Sequence, residues 1–201
     1  MRFLQLLCLA GAVACTLSAD TIYSNMSEPS ADADGIAFLG PLYNSFTSGA
    51  AGQLSDLQLI LSADGDGSVS GSVQVDLFAD NSTAPGELIA VIGTVKDDTL
   101  SSIPATYDVA LSSYPALADN TRYWIGLSGT TAAEWYYDFD ASGIGVADEF
   151  FANQMGVFSN DNDPYQMSVM AAASTAPEPS TSLLIAIGIS LMALAQLRRR
   201  A

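Results

Sequence analysis

Between Asp20 and Ala176 the chain alternates apolar and polar residues with a period of two. Val73, Val75 and Leu77 alternate with Ser72, Gln74 and Asp76, and Tyr107, Val109 and Leu111 with Thr106, Asp108 and Ala110. Tyr123, Ile125 and Leu127 are interleaved with Arg122, Trp124 and Gly126, and Tyr165, Met167, Val169 and Ala171 with Gln166, Ser168 and Met170. Successive side chains of a strand point to opposite faces, so this pattern predicts half-buried antiparallel strands. Tyr43–Thr47, Leu54–Leu61, Leu88–Val95, Ala133–Asp138 and Gln154–Phe158 complete the expected set. Turn-forming residues separate them: Asp64-Gly65-Asp66-Gly67, Ala84-Pro85-Gly86, Asp119-Asn120 and Asn160-Asp161-Asn162-Asp163-Pro164. Many short strands with no long helical period predict an all-β fold, an antiparallel two-sheet sandwich of jelly-roll-like form. No repeat of fixed period is present, which argues against a solenoid.

The two ends follow a different pattern. Arg2 precedes an apolar run, Phe3 to Val13, interrupted only by Gln5, and Leu17-Ser18-Ala19 offers a small residue before Asp20. This is the layout of a signal peptide over residues 1–19, cleaved after Ala19. Ala12-Val13-Ala14-Cys15 is a weaker, lipobox-like alternative that would place a lipid on Cys15. At the other end residues 181–197 are largely apolar and stop at Arg198, Arg199 and Arg200. The run is slightly shorter than the ~20 residues of a standard span. Snorkelling arginines extend its reach, so a C-terminal transmembrane helix is expected, with the arginines held on the cytoplasmic side. The predicted organisation is therefore a signal peptide (1–19), an outer domain (20–176) and a C-terminal tail (177–201).

Charge and composition narrow the chemistry. The 201-residue chain carries a formal charge of −16, but four of its six cations lie in the flanks. The outer domain keeps only Lys96 and Arg122 against 21 acids, a net charge of −19. Such a surface repels phosphates, so nucleic acid is not an expected partner. Acidity on this scale reads first as a device for solubility, and second as an attraction for divalent cations or basic surfaces. Both cysteines, Cys8 and Cys15, sit in the leader, and histidine is absent. Ser-His-Asp and Cys-His catalysis, imidazole zinc sites and disulfides in the outer domain are thereby excluded.

Pro177-Glu178-Pro179-Ser180, a short apolar helix and a terminal arginine cluster occur in order over residues 177–201. This tail resembles the PEP-CTERM sorting signal, a region also labelled an ice-binding-protein C-terminal domain. The resemblance implies that the chain is a substrate of an exosortase, exported by the Sec machinery and held transiently in the inner membrane. It further implies release to the surface or matrix of a bacterium that makes extracellular polysaccharide. Pro177 and Pro179 would keep the backbone extended and accessible just outside the membrane. Within the outer domain, Ser45-Phe46-Thr47-Ser48-Gly49, Leu77-Phe78-Ala79-Asp80 with Pro85-Gly86, Leu117 to Trp124, and Pro164 to Val169 resemble the choice-of-anchor R domain. That family implies a surface β-sandwich with no established activity, so no catalytic role carries over.

Several residues are candidates for chemistry. Asp64 and Asp66 lie on a glycine-rich turn that could offer oxygens to calcium, but the third acid and the distal Glu of an EF-hand loop are missing; a solvated hairpin turn is the favoured reading, with no cofactor. Asp161 and Asp163 pose the same alternative. Asp138-Phe139-Asp140 and Asp148-Glu149 could supply the carboxylate pair of a glycoside hydrolase, although 21 acids make adjacent carboxyls commonplace. Trp124, Trp135, Tyr136 and Tyr137 could stack on sugar rings, but strand aromatics usually fill cores. Ice binding would want a flat, repeated threonine array, which is absent. The sequence thus favours a structural or adhesive, non-enzymatic surface protein. A carbohydrate-binding module, with or without calcium, is the main alternative, and a carboxylate hydrolase a third.

Overall fold

The computed structural model describes residues 19–63, 71–140 and 142–173. The residues expected to form a signal peptide before Ala19, Asp64 and Asp66, and Pro177, Glu178, Pro179, Ser180, Arg198, Arg199 and Arg200 of the expected tail lie outside them. Among the described residues no helix is long and apolar enough to cross a membrane.

Strands account for most of the fold. In chain order they are β1 (Ala19–Ser24), β2 (Asp32–Gly35), β3 (Leu42–Thr47), β4 (Gly52–Ala63), β5 (Ser72–Asp80) and β6 (Pro85–Lys96). There follow β7 (Ala105–Asp108), β8 (Ala116–Leu117), β9 (Arg122–Ser128), β10 (Ala133–Tyr137), β11 (Phe150–Asn153), β12 (Gly156–Ser159) and β13 (Met167–Ala173). A single helical turn, α1 (Ile36–Leu39), joins β2 to β3 and buries Ile36. The strands form two antiparallel sheets: β1-β13-β4-β10-β2, with β7 and β8 added along β4, and β12-β11-β3-β9-β5-β6. The all-β, two-sheet expectation is met.

One core joins the sheets. β4 supplies Leu54, Leu57, Leu59 and Leu61, and β13 supplies Met167 and Val169; the other sheet supplies Phe46, Val73, Val75, Leu77, Ile125 and Leu127. These are the positions of the period-two pattern, because each strand can send only alternate residues to the interior. Leu54 and Leu57, three residues apart, break that parity and yet are both buried. A register shift explains it: Asp56 pairs with Met170 and Leu54 with Ala171, leaving Ser55 unmatched. An extra residue in one strand reverses the facing of everything beyond it.

β9 is the central strand of the second sheet, and Tyr123 to Leu127 are buried without interruption. Tyr123, Ile125 and Leu127 belong to the core. Trp124 and Gly126 face the other way. Tyr43 and Phe78 meet edge-on above Gly126, 5.4 Å between centroids, and a Cβ at Gly126 would lie 2.6 Å from the Phe78 ring. Glycine is needed there to admit the two rings.

Two expected strands differ from the pattern. Gln154–Phe158 is not one strand but the turn and second arm of the β11–β12 hairpin, in which Phe151 pairs with Phe158 and Asn153 with Gly156. Gly156 has φ 145°, a left-handed value that only glycine adopts without strain. The Tyr107–Leu111 strand stops at Asp108, since the chain then turns to cover β6: Ser112 N donates to Ile92 O at 2.8 Å.

Candidate functional site

Most of the polar chemistry gathers where β2, β10, the β11–β12 hairpin and the 160–165 loop meet. Strand register brings these pieces together. β2 pairs with β10, setting Asp34 opposite Trp135, and β11 pairs with β3 on the other sheet. The loop is tied to β10 by Asp138 N donating to Pro164 O and Gln166 N donating to Tyr136 O. Tyr165 thus enters the seam between the sheets. Its ring stacks on Trp135 at 4.7 Å and meets Phe151 edge-on at 5.7 Å.

The Tyr165 hydroxyl donates to Asp34, and Asn153 Nδ2 donates to Asp34 Oδ2 at 3.1 Å. Burial, and then the Asp34 carboxylate, push the Tyr165 hydroxyl far above the ordinary phenol range, so it stays a neutral donor. Two open cavities adjoin this pair. One, of about 360 Å³, is lined by Asp34, Tyr137, Phe151, Asn153, Met155, Phe158 and Asp163. The second, of about 430 Å³, shares Phe151, Phe158 and Asp163 and adds Ser159, Asp161 and Asn162. Together they make one groove with an aromatic floor, where Phe158 stacks on Phe151 at 5.1 Å, and an acidic wall. Asp163, at φ 56°, is raised by burial and by Asp34. Tyr137 is raised by burial and then by Asp32, Asp34 and Asp163.

Among the described residues no cation balances that wall. Lys96 ends β6, at the opposite edge of the sheet from β12. Arg122 is committed elsewhere: its Nε donates to Glu149 Oε2 at 2.9 Å, its Nη2 to Asp148 O at 2.8 Å, and its guanidinium lies 4.9 Å from the Phe150 ring centre. Glu149 is buried and also accepts from the Ser45 and Thr47 hydroxyls. Every oxygen of this carboxylate has a donor, so Glu149 is spent on holding Ser45, Thr47 and Arg122 together, while the Asp148 side chain is exposed.

Asp138 is 1 % exposed and accepts from Asn25 Nδ2 and Asp140 N, both at 2.9 Å. With Glu28, Phe139 and Asp140 it borders a separate hollow of about 350 Å³. Its carboxyl is pushed up to about 6, chiefly by burial. Trp124 and Trp135 both have no exposed surface; their indole N–H groups donate to Asp80 Oδ1 at 2.8 Å and to Gln166 O at 3.0 Å. Neither can present a stacking face to a sugar. Ala19, the expected cleavage residue, opens β1 and pairs with Ala172.

Of the residues singled out by sequence, Asp161, Asp163 and Tyr137 come together in the groove. Asp34, Phe151, Asn153, Met155 and Phe158 were not singled out. Only the neighbouring Asn160–Pro164 turn signal pointed near them, because a site assembled from both sheets leaves no contiguous motif. Among the described residues no three potential metal ligands cluster. A search of protein-family models and a search of curated proteins gave no match to this chain.

Proposed function

We propose that this chain is an exported surface or matrix protein with a structural or adhesive, non-enzymatic role in an exopolysaccharide layer. Its jelly-roll-like sandwich would be delivered by a signal peptide ending at Ala19 and sorted by an exosortase acting near Pro177-Glu178-Pro179-Ser180. The observation that carries this reading is the ordered tail: motif, apolar run, then Arg198-Arg199-Arg200 at the terminus. The fold supports it in one respect. The sandwich occupies the interval between the two proposed targeting segments, from Ala19 in β1 to Ala173 in β13, and these two outermost described strands pair with each other. The arginines would resist translocation and hold the tail at the inner membrane while the motif is read.

The deciding experiment is mass spectrometry of the mature protein from a host with an active exosortase. The wild-type chain should lack residues 183–201, and the Pro177→Ala/Glu178→Ala/Pro179→Ala form should insert but keep them. A wild-type protein that retains its tail, or a triple variant trimmed as efficiently, would leave a plain membrane anchor instead. The groove favours a second reading, a carbohydrate-binding module, since it combines an exposed aromatic face with convergent hydrogen-bonding groups.

A further inference from the structure

The groove between the β11–β12 hairpin and the 160–165 loop has a definite chemistry. Phe158, 41 % exposed, presents a ring whose other face is covered by Phe151, and Met155 stands at the rim with most of its surface in solvent. Opposite them lie Asp34 and Asp163, with Asp161, Asn162 and Ser159 continuing along the second cavity. Acceptors therefore outnumber donors. Asn153 already spends its amide on Asp34 and on the Tyr165 hydroxyl, and the Tyr165 proton is also spent on Asp34. Both cavities fall in the ~300–1,000 Å³ range of small-molecule sites.

The geometry points to this groove as a binding site for a cationic amino sugar, a pyranose bearing a free ammonium group. The ammonium would sit between Asp34 and Asp163, and the apolar face of the ring on Phe158. Charge complementarity carries the choice. Two carboxylates sharing a partly desolvated wall, with neither Lys96 nor Arg122 in reach among the described residues, repel each other and favour a positive occupant. Tyr137 and Asp163 are raised first by burial and then by the neighbouring carboxylates, in the same sense. Aromatic faces add attraction for a cation at close range. Several acceptors along the Asp161–Asp163 arm suit the hydroxyls of a sugar better than the unbranched stem of a lysine. The two joined cavities would hold successive rings of one chain. The assignment deepens the carbohydrate-binding reading above and does not depend on sorting by the tail.

The test uses the mature exported protein and two defined probes, a β-1,4-linked glucosamine tetramer and its fully N-acetylated counterpart. Calorimetry at about pH 6 keeps the amine charged, and about 0.15 M salt suppresses diffuse attraction to the acidic surface. The glucosamine tetramer should bind at least tenfold more tightly than the acetylated one. Asp163→Asn, conservative because asparagine tolerates a positive φ, should weaken it by tenfold or more, as should Phe158→Ala on the exposed hairpin. Asp97→Asn/Asp98→Asn, on the far side of the sandwich after β6, should leave it unchanged. Equal affinity for the two tetramers, no binding, binding insensitive to both groove variants, or tighter binding of a lysine-rich peptide would each overturn the assignment. Failure here leaves the sorting experiment untouched, since that one reads only the C-terminal mass.

Discussion

Asp138 carries the clearest energetic signature of any single residue. Burial raises its carboxyl from an ordinary 3.8 to about 6; Asp140 N and Asn25 Nδ2 pull it back only in part, and the nearby Asp140 and Glu28 charges add repulsion. A carboxyl whose folded pKa lies above its unfolded one holds its proton more tightly in the fold. Its contribution to stability is full below about 3.8 and is lost as pH rises through about 6. The protein should thus gain stability on acidification from pH 7 towards pH 4, with at most about 3 kcal/mol from this residue. Asp163, also raised, acts with the same sign. Urea midpoints across that interval measure the gain. Asp138→Asn keeps an acceptor for Asp140 N, turns its own amide N–H towards Asn25 Nδ2 at some cost in stability, and has no charge to bury, so it should flatten the slope. An unchanged slope in the variant would assign the pH dependence to the general acidity of the chain.

At the scale of elements, the bulge in β4 shows how local irregularity serves the core. Ser55 is the unmatched residue, and its Oγ is buried with no hydrogen-bond partner. A buried hydroxyl left unpaired costs about 1–3 kcal/mol of desolvation. Ser55→Ala should remove that cost while leaving the bulge, and so stabilise the fold by up to about 1 kcal/mol, read as a higher urea midpoint at constant m. The strands themselves were legible wherever one face is buried and the other wet: β5, β9 and β13 fall where Val73–Leu77, Tyr123–Leu127 and Met167–Ala171 alternate. β1 and β2 escaped notice because Thr21-Ile22-Tyr23 and Asp32-Ala33-Asp34 are too short and too polar to set a period. The hairpin was half seen, since Gln154 and Met155 continue the apparent alternation although they form its turn. The groove was the least legible feature. Its residues come from β2, β10, β11, β12 and a loop, separated by more than a hundred positions, and only pairing across two sheets brings Asp34 next to Asn153.

For the molecule as a whole, closure depends on its first strand. No cysteine lies between Ala19 and Ala173, so no covalent staple ties the ends and pairing alone must do so. β1 runs antiparallel to β13 from Ala19↔Ala172 to Ser24↔Ser168. Tyr23 is wholly buried, and its hydroxyl accepts from Asn44 Nδ2 at 3.0 Å and Asn160 Nδ2 at 3.2 Å. Asn25, also fully buried, follows the strand and acts as a clamp. Its Nδ2 donates to Asp138 and to the carbonyl of Tyr165, and its Oδ1 accepts from Met167 N at 2.9 Å. Removing residues 19–25 would therefore open the sheet edge, empty the Tyr23 site and strip one of two donors from the buried Asp138 carboxylate. A large buried aromatic alone is worth about 3–5 kcal/mol, and each orphaned polar group adds about 1–3. Against a typical total of 5–15 kcal/mol, such a loss should leave the chain unfolded or nearly so at room temperature. Removing residues 177–201, the expected sorting tail, leaves every described strand in place and should leave the midpoint within about 0.5 kcal/mol of the parent, the range of surface changes. Circular dichroism and urea titration of the two truncations, side by side, provide the measurement. A stable β spectrum after loss of residues 19–25 would mean that β1 is an accessory edge and that the sandwich closes without it.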